Sequence, residues 1–306
     1  MVIRPLYRRL YRDSDRDVGR SILVAGTGRS GTTWIADLLA AALPCRVMFE
    51  PFHSRLVEAF GDFHYFHYVR PDEPDDRLLS YCQTVFSGSI RHPWIDRAAG
   101  PLFPKYRVIK EIRANLFLRW IRERFPALPI LFVIRHPCAV VLSRMRSGWA
   151  TDTDIAPFHA QEELIEDHLR DRLELVREVR TDEEKHAVVW CVSNRVPLDQ
   201  FGPGELDVFH YETLCTRPEQ EIRRMVRILS AGPFEVEEAR LGKALRQVDV
   251  PSGTALKSSA VMTGEDRVGR WREHLSKGQI ANILAVVDAF GLGHLYADSL
   301  WPRAEL

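Results

Sequence analysis

Residues Gly26 to Thr33, Gly-Thr-Gly-Arg-Ser-Gly-Thr-Thr, stand between a short apolar run and an amphipathic one. A strand that turns through glycines straight into a helix collects anions. The backbone N–H groups of Gly28 to Thr33 point into the turn, the positive end of a helix starting near Thr32 faces it, and Arg29 adds a full charge. The spacing of Gly26, Gly31 and Thr33 overlays the phosphate-loop pattern G-x-x-x-x-G-K-[ST], with Thr32 in the lysine position. That lysine grips the β- and γ-phosphates of a nucleoside triphosphate, and the hydroxyl after it holds magnesium. Its loss argues against ordinary ATP or GTP hydrolysis and for an anion of another shape.

Pro129 to Met145 reads as a buried strand, an arginine at its carboxyl end and a helix opened by Pro137. Arg135 and Ser143 are eight residues apart, so a strand-end guanidinium and a hydroxyl two turns into the helix converge on a second phosphate. Lys110 ends another predicted strand in Val108-Ile-Lys-Glu-Ile-Arg113. Glu50 follows the strand of Met48-Phe-Glu-Pro-Phe-His53, at the sheet edge where ligands gather.

Together these segments resemble the sulfotransferases that use 3′-phosphoadenosine 5′-phosphosulfate (PAPS), and the order of matching elements runs from about residue 21 to 290. The resemblance implies that Arg29, Ser30, Gly31, Thr32 and Thr33 hold the 5′-phosphosulfate and Trp34 stacks on adenine. It implies that Arg135 and Ser143 hold the 3′-phosphate, that Tyr211 in Val208-Phe-His-Tyr-Glu-Thr-Leu approaches adenine, and that Arg267, Gly269 and Arg270 of Asp266-Arg-Val-Gly-Arg-Trp close over the 3′-phosphate. PAP is then the product, and no metal is required. Lys110 stands where the family often carries a catalytic lysine. The Glu50-Pro51 pair resembles the carbohydrate branch, whereas Ile112 occupies the place where the cytosolic phenol and steroid branch has a histidine.

A hydroxyl attacking sulfur needs a base, and the departing phosphate oxygen needs positive charge, by analogy with phosphoryl transfer. Arg29 and Lys110 are the cations expected to meet that charge. Glu50 is the expected base, with Glu111 and His53 as rivals. The expected function is sulfuryl transfer from PAPS to a hydroxyl of a sugar, glycolipid or glycosylated metabolite. The alternatives are a phosphate-loop kinase of a small molecule, which needs a magnesium-holding carboxylate, and a regulatory protein that binds PAP without catalysis.

Composition fits this. The 306 residues are 45% hydrophobic, and 42 basic residues balance 42 acidic ones, which argues against nucleic acid as a partner. Five scattered cysteines show no metal-like pairing, no apolar run approaches the ~20 residues of a membrane span, and a cytoplasmic location is expected. Residues 1–20 read as a basic amphipathic arm suited to contact with a membrane surface, and residues 21–306 as one sulfotransferase domain. Strands are predicted at Ile22 to Ala25, Arg46 to Phe49, Tyr106 to Glu111, Ile130 to Ile134 and Leu206 to His210. With helices between them they give an α/β, P-loop-type, three-layer domain with a mainly parallel central sheet flanked by helices. Gln161 to His186 reads as one long surface helix, and Glu219 to Leu229 and Gly278 to Phe290 as further ones. Phe60 to Tyr106, Gly148 to His159 and Pro251 to Glu265 break the rhythm, as segments for acceptor recognition or a lid do.

Overall fold

Apolar runs of four to six residues bounded by glycine, proline and charge become strands buried on both faces, which is what a parallel sheet requires. The computed structural model describes residues 3–296 and 299–303. Its strands are β1 (Ser21–Gly26), β2 (Cys45–Phe49), β3 (Tyr106–Lys110), β4 (Ile130–Ile134) and β5 (Asp207–His210), within a residue or two of the expected positions. They form one all-parallel sheet in the order β2-β3-β1-β4-β5. Every residue of β1, β3 and β4 is buried.

Alternation along the strands divides the core into two layers. Ile22, Val24, Leu131 and Val133 pack against α2 (Thr32–Ala42) and Glu238–Gln247. Leu23, Ala25, Ile130, Phe132 and Ile134 pack against α3 (Pro137–Arg146), α4 (Asp182–Gln200) and α5 (Lys277–Ala289). The result is helix, sheet, helix. Because β1 is central and the chain leaves it first towards β2 and β3, then towards β4 and β5, the loops after β1 and β4 diverge at the carboxyl edge and leave a crevice.

One expected element differs. The long helix from Gln161 to His186 is broken into a turn at Glu162–Leu164, a wide turn at Ile165–Leu169, a tight one at Arg170–Arg172 and a short helix at Leu173–Glu178. Extended Val179 ends it, and Thr181 then starts α4 with a capping box closed by Glu184. The predicted stripe survives in part, with Leu164, Leu169 and Val176 buried.

Of the predicted arm, residues 1–2 lie outside the described residues, and Ile3–Leu10 (α1) is helical. Tyr7 and Tyr11 stack at 5.1 Å and are buried. Asp13 follows them into the protein, where its carboxylate accepts from Arg46 of β2 and Arg107 of β3, each at 3.1 Å. Both arginines are about 1% exposed. Arg46 keeps a second carboxylate, Asp96, at 2.8 Å, but among the described residues Arg107 pairs with Asp13 alone. A buried charge left without its partner is costly, so Asp13→Asn is expected to lower the unfolding free energy by about 3–5 kcal/mol. Arg77→Ala, which breaks an exposed pair with Asp62, is expected to cost about 0–1 kcal/mol. Urea denaturation of both variants checks this, and equal midpoints would show that Asp96, Ser21 and the backbone carbonyls satisfy the two guanidinium groups without Asp13.

Candidate active site

The turn after β1 is shaped by what a side chain would hit. A Cβ at Gly26 would press on the Val133 carbonyl, and one at Gly31 would lie 2.6 Å from the Tyr211 ring. Gly31 has φ 105° and begins α2 with no side-chain cap, so the first N–H groups of the helix are left for a ligand. Gly31, Thr32, Thr33 and Trp34 line a cavity of about 500 Å³ at the carboxyl edge of the sheet. Ser30 lies beneath the loop, its Oγ buried without a partner and on the side of Gly26. Its backbone N–H closes the turn on the Thr27 carbonyl at 3.0 Å, and its hydroxyl does not line the cavity.

Arg29 takes φ 78°, and its guanidinium donates to Ser143 Oγ at 2.9 Å and to the Thr254 carbonyl at 3.1 Å. The strand-end arginine and the helix hydroxyl are thus brought together through Arg29. Arg135 lies over the Tyr211 ring at 4.0 Å and donates to the Arg29 and Arg267 carbonyls at 3.3 and 3.2 Å, while its Nε is buried without a partner. Arg135, Ser143, Arg267 and Arg270 line a second, smaller cavity of about 100 Å³ that shares Arg29, Arg135, Tyr211 and Arg267 with the first. Trp34 meets Tyr211 edge-on at 5.4 Å, with Arg267 over its ring at 5.7 Å. Gly269 lines neither cavity. Its N–H donates to Asp266 at 2.8 Å, so its part is to form the turn that carries Arg267 and Arg270.

On the other side of β1, Glu50 sits at φ 45° after β2, buried, and its carboxylate bridges two cations. Lys110 Nζ donates to Oε1, and Arg113 Nη1 donates to Oε2 at 2.7 Å. Burial alone would raise the Glu50 pKa, but the charges of Lys110 and Arg113 outweigh it and hold the carboxyl at about 2. Arg29 and Glu50 are the two non-glycine residues with positive φ among those described, and each lies in a loop at the cavity. Such backbone costs of order 1–3 kcal/mol and persists where its surroundings enforce it.

The two rivals for the base divide. Glu111 is fully buried and accepts the N–H groups of Phe52, Ile112 and Arg113 at 2.9, 2.7 and 2.9 Å, which fastens the loop after β3 to the Glu50 turn and keeps it away from the cavity. His53 lines the cavity, with Nδ1 buried and unpartnered, and burial together with Arg113 presses its pKa down to about 4. Its ring is neutral at neutral pH.

All three irregular segments reach the cavity: Tyr65, Trp94 and Arg97 from the first, Trp149 and Asp154 from the second, Thr254 and Ser259 from the third. Sequence reasoning did not single out Arg113, although it lies in the same quoted stretch as Lys110. It also missed Trp149, whose ring stands 2.5 Å from where a Gly28 Cβ would be and lies over the Arg144 guanidinium. Arg144 is buried, paired with Asp154 at 2.7 Å and His186 at 3.0 Å.

Comparison with known proteins finds sulfotransferases and a nodulation protein. The nodulation protein NoeE of Sinorhizobium fredii (strain NBRC 101917 / NGR234) is 26% identical over 301 residues, covering 93% of this chain and 68% of that protein. The sulfotransferase of Alicyclobacillus acidocaldarius is 14% identical, covering 83% of this chain and 98% of its own, with a TM-score of 0.39. Mouse sulfotransferase SULT7A1 complexed with PAP is 13% identical, covering 90% and 86%, with a TM-score of 0.45. Residues 21–232, which hold the glycine loop, Glu50, Lys110, Arg135, Ser143 and Tyr211, match the sulfotransferase family, and the chain belongs to it.

Proposed function

We propose that this protein transfers a sulfuryl group from PAPS to a hydroxyl of a sugar, glycolipid or glycosylated metabolite. The observation that carries this is the opening of the glycine loop and the Lys110–Glu50 pair into one cavity. A regulatory PAP-binding protein has no use for that juxtaposition. The residues present suit the anion. The uncapped start of α2 with Thr32 and Thr33 would hold the 5′-phosphosulfate, and Arg135, Ser143, Arg267 and Arg270 the 3′-phosphate. Arg29 reaches between the two places, and Trp34 and Tyr211 would flank adenine. We treat residues 21–306 as one catalytic domain, because α5 and the segment to Tyr296 pack into the same core as β1. The exposed face of the arm, Leu10 with Arg9 and Arg12 beside exposed Leu102 and Phe103, supports a membrane-surface contact.

When bound, PAPS supplies the sulfuryl group and PAP is what remains. Glu50 takes the proton of the acceptor hydroxyl on a carboxylate oxygen. With two cations on that carboxylate it is ionised throughout the neutral range but has little affinity for a proton. Lys110 sits between Glu50 and the glycine loop. The more of its charge it gives to an anion in the loop, the better a base Glu50 becomes, and the same ammonium stabilises the departing oxygen.

A charge-assisted bond to the 3′-phosphate is worth roughly 1.5–3 kcal/mol. By isothermal titration PAP is therefore expected to bind roughly 10- to 100-fold more tightly than 5′-AMP, and Arg135→Ala to erase most of that preference. Equal binding of the two nucleotides by the unaltered protein would sink the assignment of the 3′-phosphate site. Turnover in excess EDTA is expected to match turnover without it.

Glu50→Gln is expected to lower turnover by ~10²- to 10⁴-fold with PAP affinity nearly unchanged. The pH profile tests the pairing. A general base must be deprotonated, so the rate falls as pH drops through its pKa. Lys110→Ala removes one of the two cations that hold Glu50 at about 2, so its pKa rises and the acidic limb of kcat/KM moves to higher pH than in the unaltered enzyme. A limb that stays in place would move the base to His53.

A further inference from the structure

Arg97 belongs to the loop between β2 and β3 and lines the main cavity at the β2 edge. Its guanidinium lies over the rings of Phe49 and Trp94, at 4.6 and 4.8 Å. Aromatic rings take up the face of a guanidinium and leave its N–H donors, which lie in the plane, to find other partners. Among the described residues Arg97 makes no hydrogen bond and no ion pair. Its chain neighbour Asp96 and the cavity-lining Glu50 are engaged elsewhere. The Asp96 carboxylate faces Arg46 at 2.8 Å and the His92 N–H at 3.1 Å, and Glu50 is shared by Lys110 and Arg113.

This cation is also far from the groups suited to PAPS. β2 is two strands from β1, about 10 Å at ordinary strand spacing, and Arg135 and Ser143 follow β4 on the opposite side of β1. Glu50 lies between the two ends of the cavity. A molecule presenting a hydroxyl to Glu50 therefore extends, on the side away from the glycine loop, towards a half-buried guanidinium with donors to spare. A planar fork of that kind matches a carboxylate or a phosphate. Resting on the sulfotransferase function proposed above, we infer that the acceptor carries an anionic substituent, a carboxylate or a phosphate ester, which Arg97 binds while Phe49 and Trp94 hold the guanidinium in place. Arg97 is then a specificity-determining residue, and neutral glycosides are the poorer acceptors.

The test is a titration of the full chain saturated with PAP, using three glycosides that share one aglycone: p-nitrophenyl β-glucuronide, p-nitrophenyl β-glucoside 6-phosphate and p-nitrophenyl β-glucoside. One or both anionic compounds are expected to bind roughly 10- to 100-fold more tightly than the neutral one, the size of a charge-assisted bond. Whichever binds better distinguishes carboxylate from phosphate. Arg97→Ala is expected to bring the anionic compounds to the level of the glucoside, and Arg97→Lys to keep part of the difference, with PAP binding by each variant showing that it is folded. Three equal affinities, no binding of any glycoside, or a preference that survives Arg97→Ala would each overturn the inference and leave the PAPS assignment standing. Failure of the unaltered protein to bind PAP would remove that assignment and the inference with it.

Discussion

Like charges gathered at one edge of a sheet repel, and the main cavity is lined by seven Arg and Lys side chains against two carboxylates, Glu50 and Asp154. The surrounding fold is arranged to tolerate this. Glu50 is shared by Lys110 and Arg113, Asp154 lies 3.8 Å from Arg55, and Arg267 reaches out to Asp249 at 3.0 Å. Arg135 and Arg97 lie on aromatic rings instead of acids. What remains is an unbalanced positive field, and a polyanion completes it. A ligand that binds only the folded chain adds its binding free energy to stability, so such a protein is most stable when loaded.

Where position followed from local chain geometry, it could be read from residue order. The glycine spacing fixed the turn, the apolar runs fixed five strands, and the strand ends placed Glu50, Lys110 and Arg135 at one edge. Side-chain direction was not readable in the same way. Ser30 and Gly269 belong to the right turns, yet one hydroxyl points inward and the other residue serves only the backbone. The helix from Gln161 misled because its charge pattern continues smoothly across Val179 to Thr181, while the capping box that restarts the chain depends on the Thr181 and Glu184 side chains. Arg113, Trp149 and Arg97 acquire their parts from contacts with residues dozens of positions away, which no local pattern records.

Backbone strain follows the same map. Arg29, three residues past β1, and Glu50, directly after β2, each occupy the left-handed region that glycine favours. In both cases the chain must leave the sheet sharply while keeping a long charged side chain at the opening. A glycine would relax the backbone and lose the charge.

The glycines of the loop are not equally bound to their identity. Gly31 is set by its own backbone, at φ 105°, whatever surrounds it. Gly28 has no such requirement, and its missing side chain makes room for the Trp149 ring. Its history is therefore tied to a residue more than a hundred positions away. With a small residue at 149, a side chain at position 28 would still meet Ile112 at 3.1 Å, so it could grow only if the Ile112 side chain gave way by a few tenths of an ångström. Restoring the tryptophan afterwards would then be blocked, so the order in which changes at 28, 112 and 149 arise decides which are open to selection.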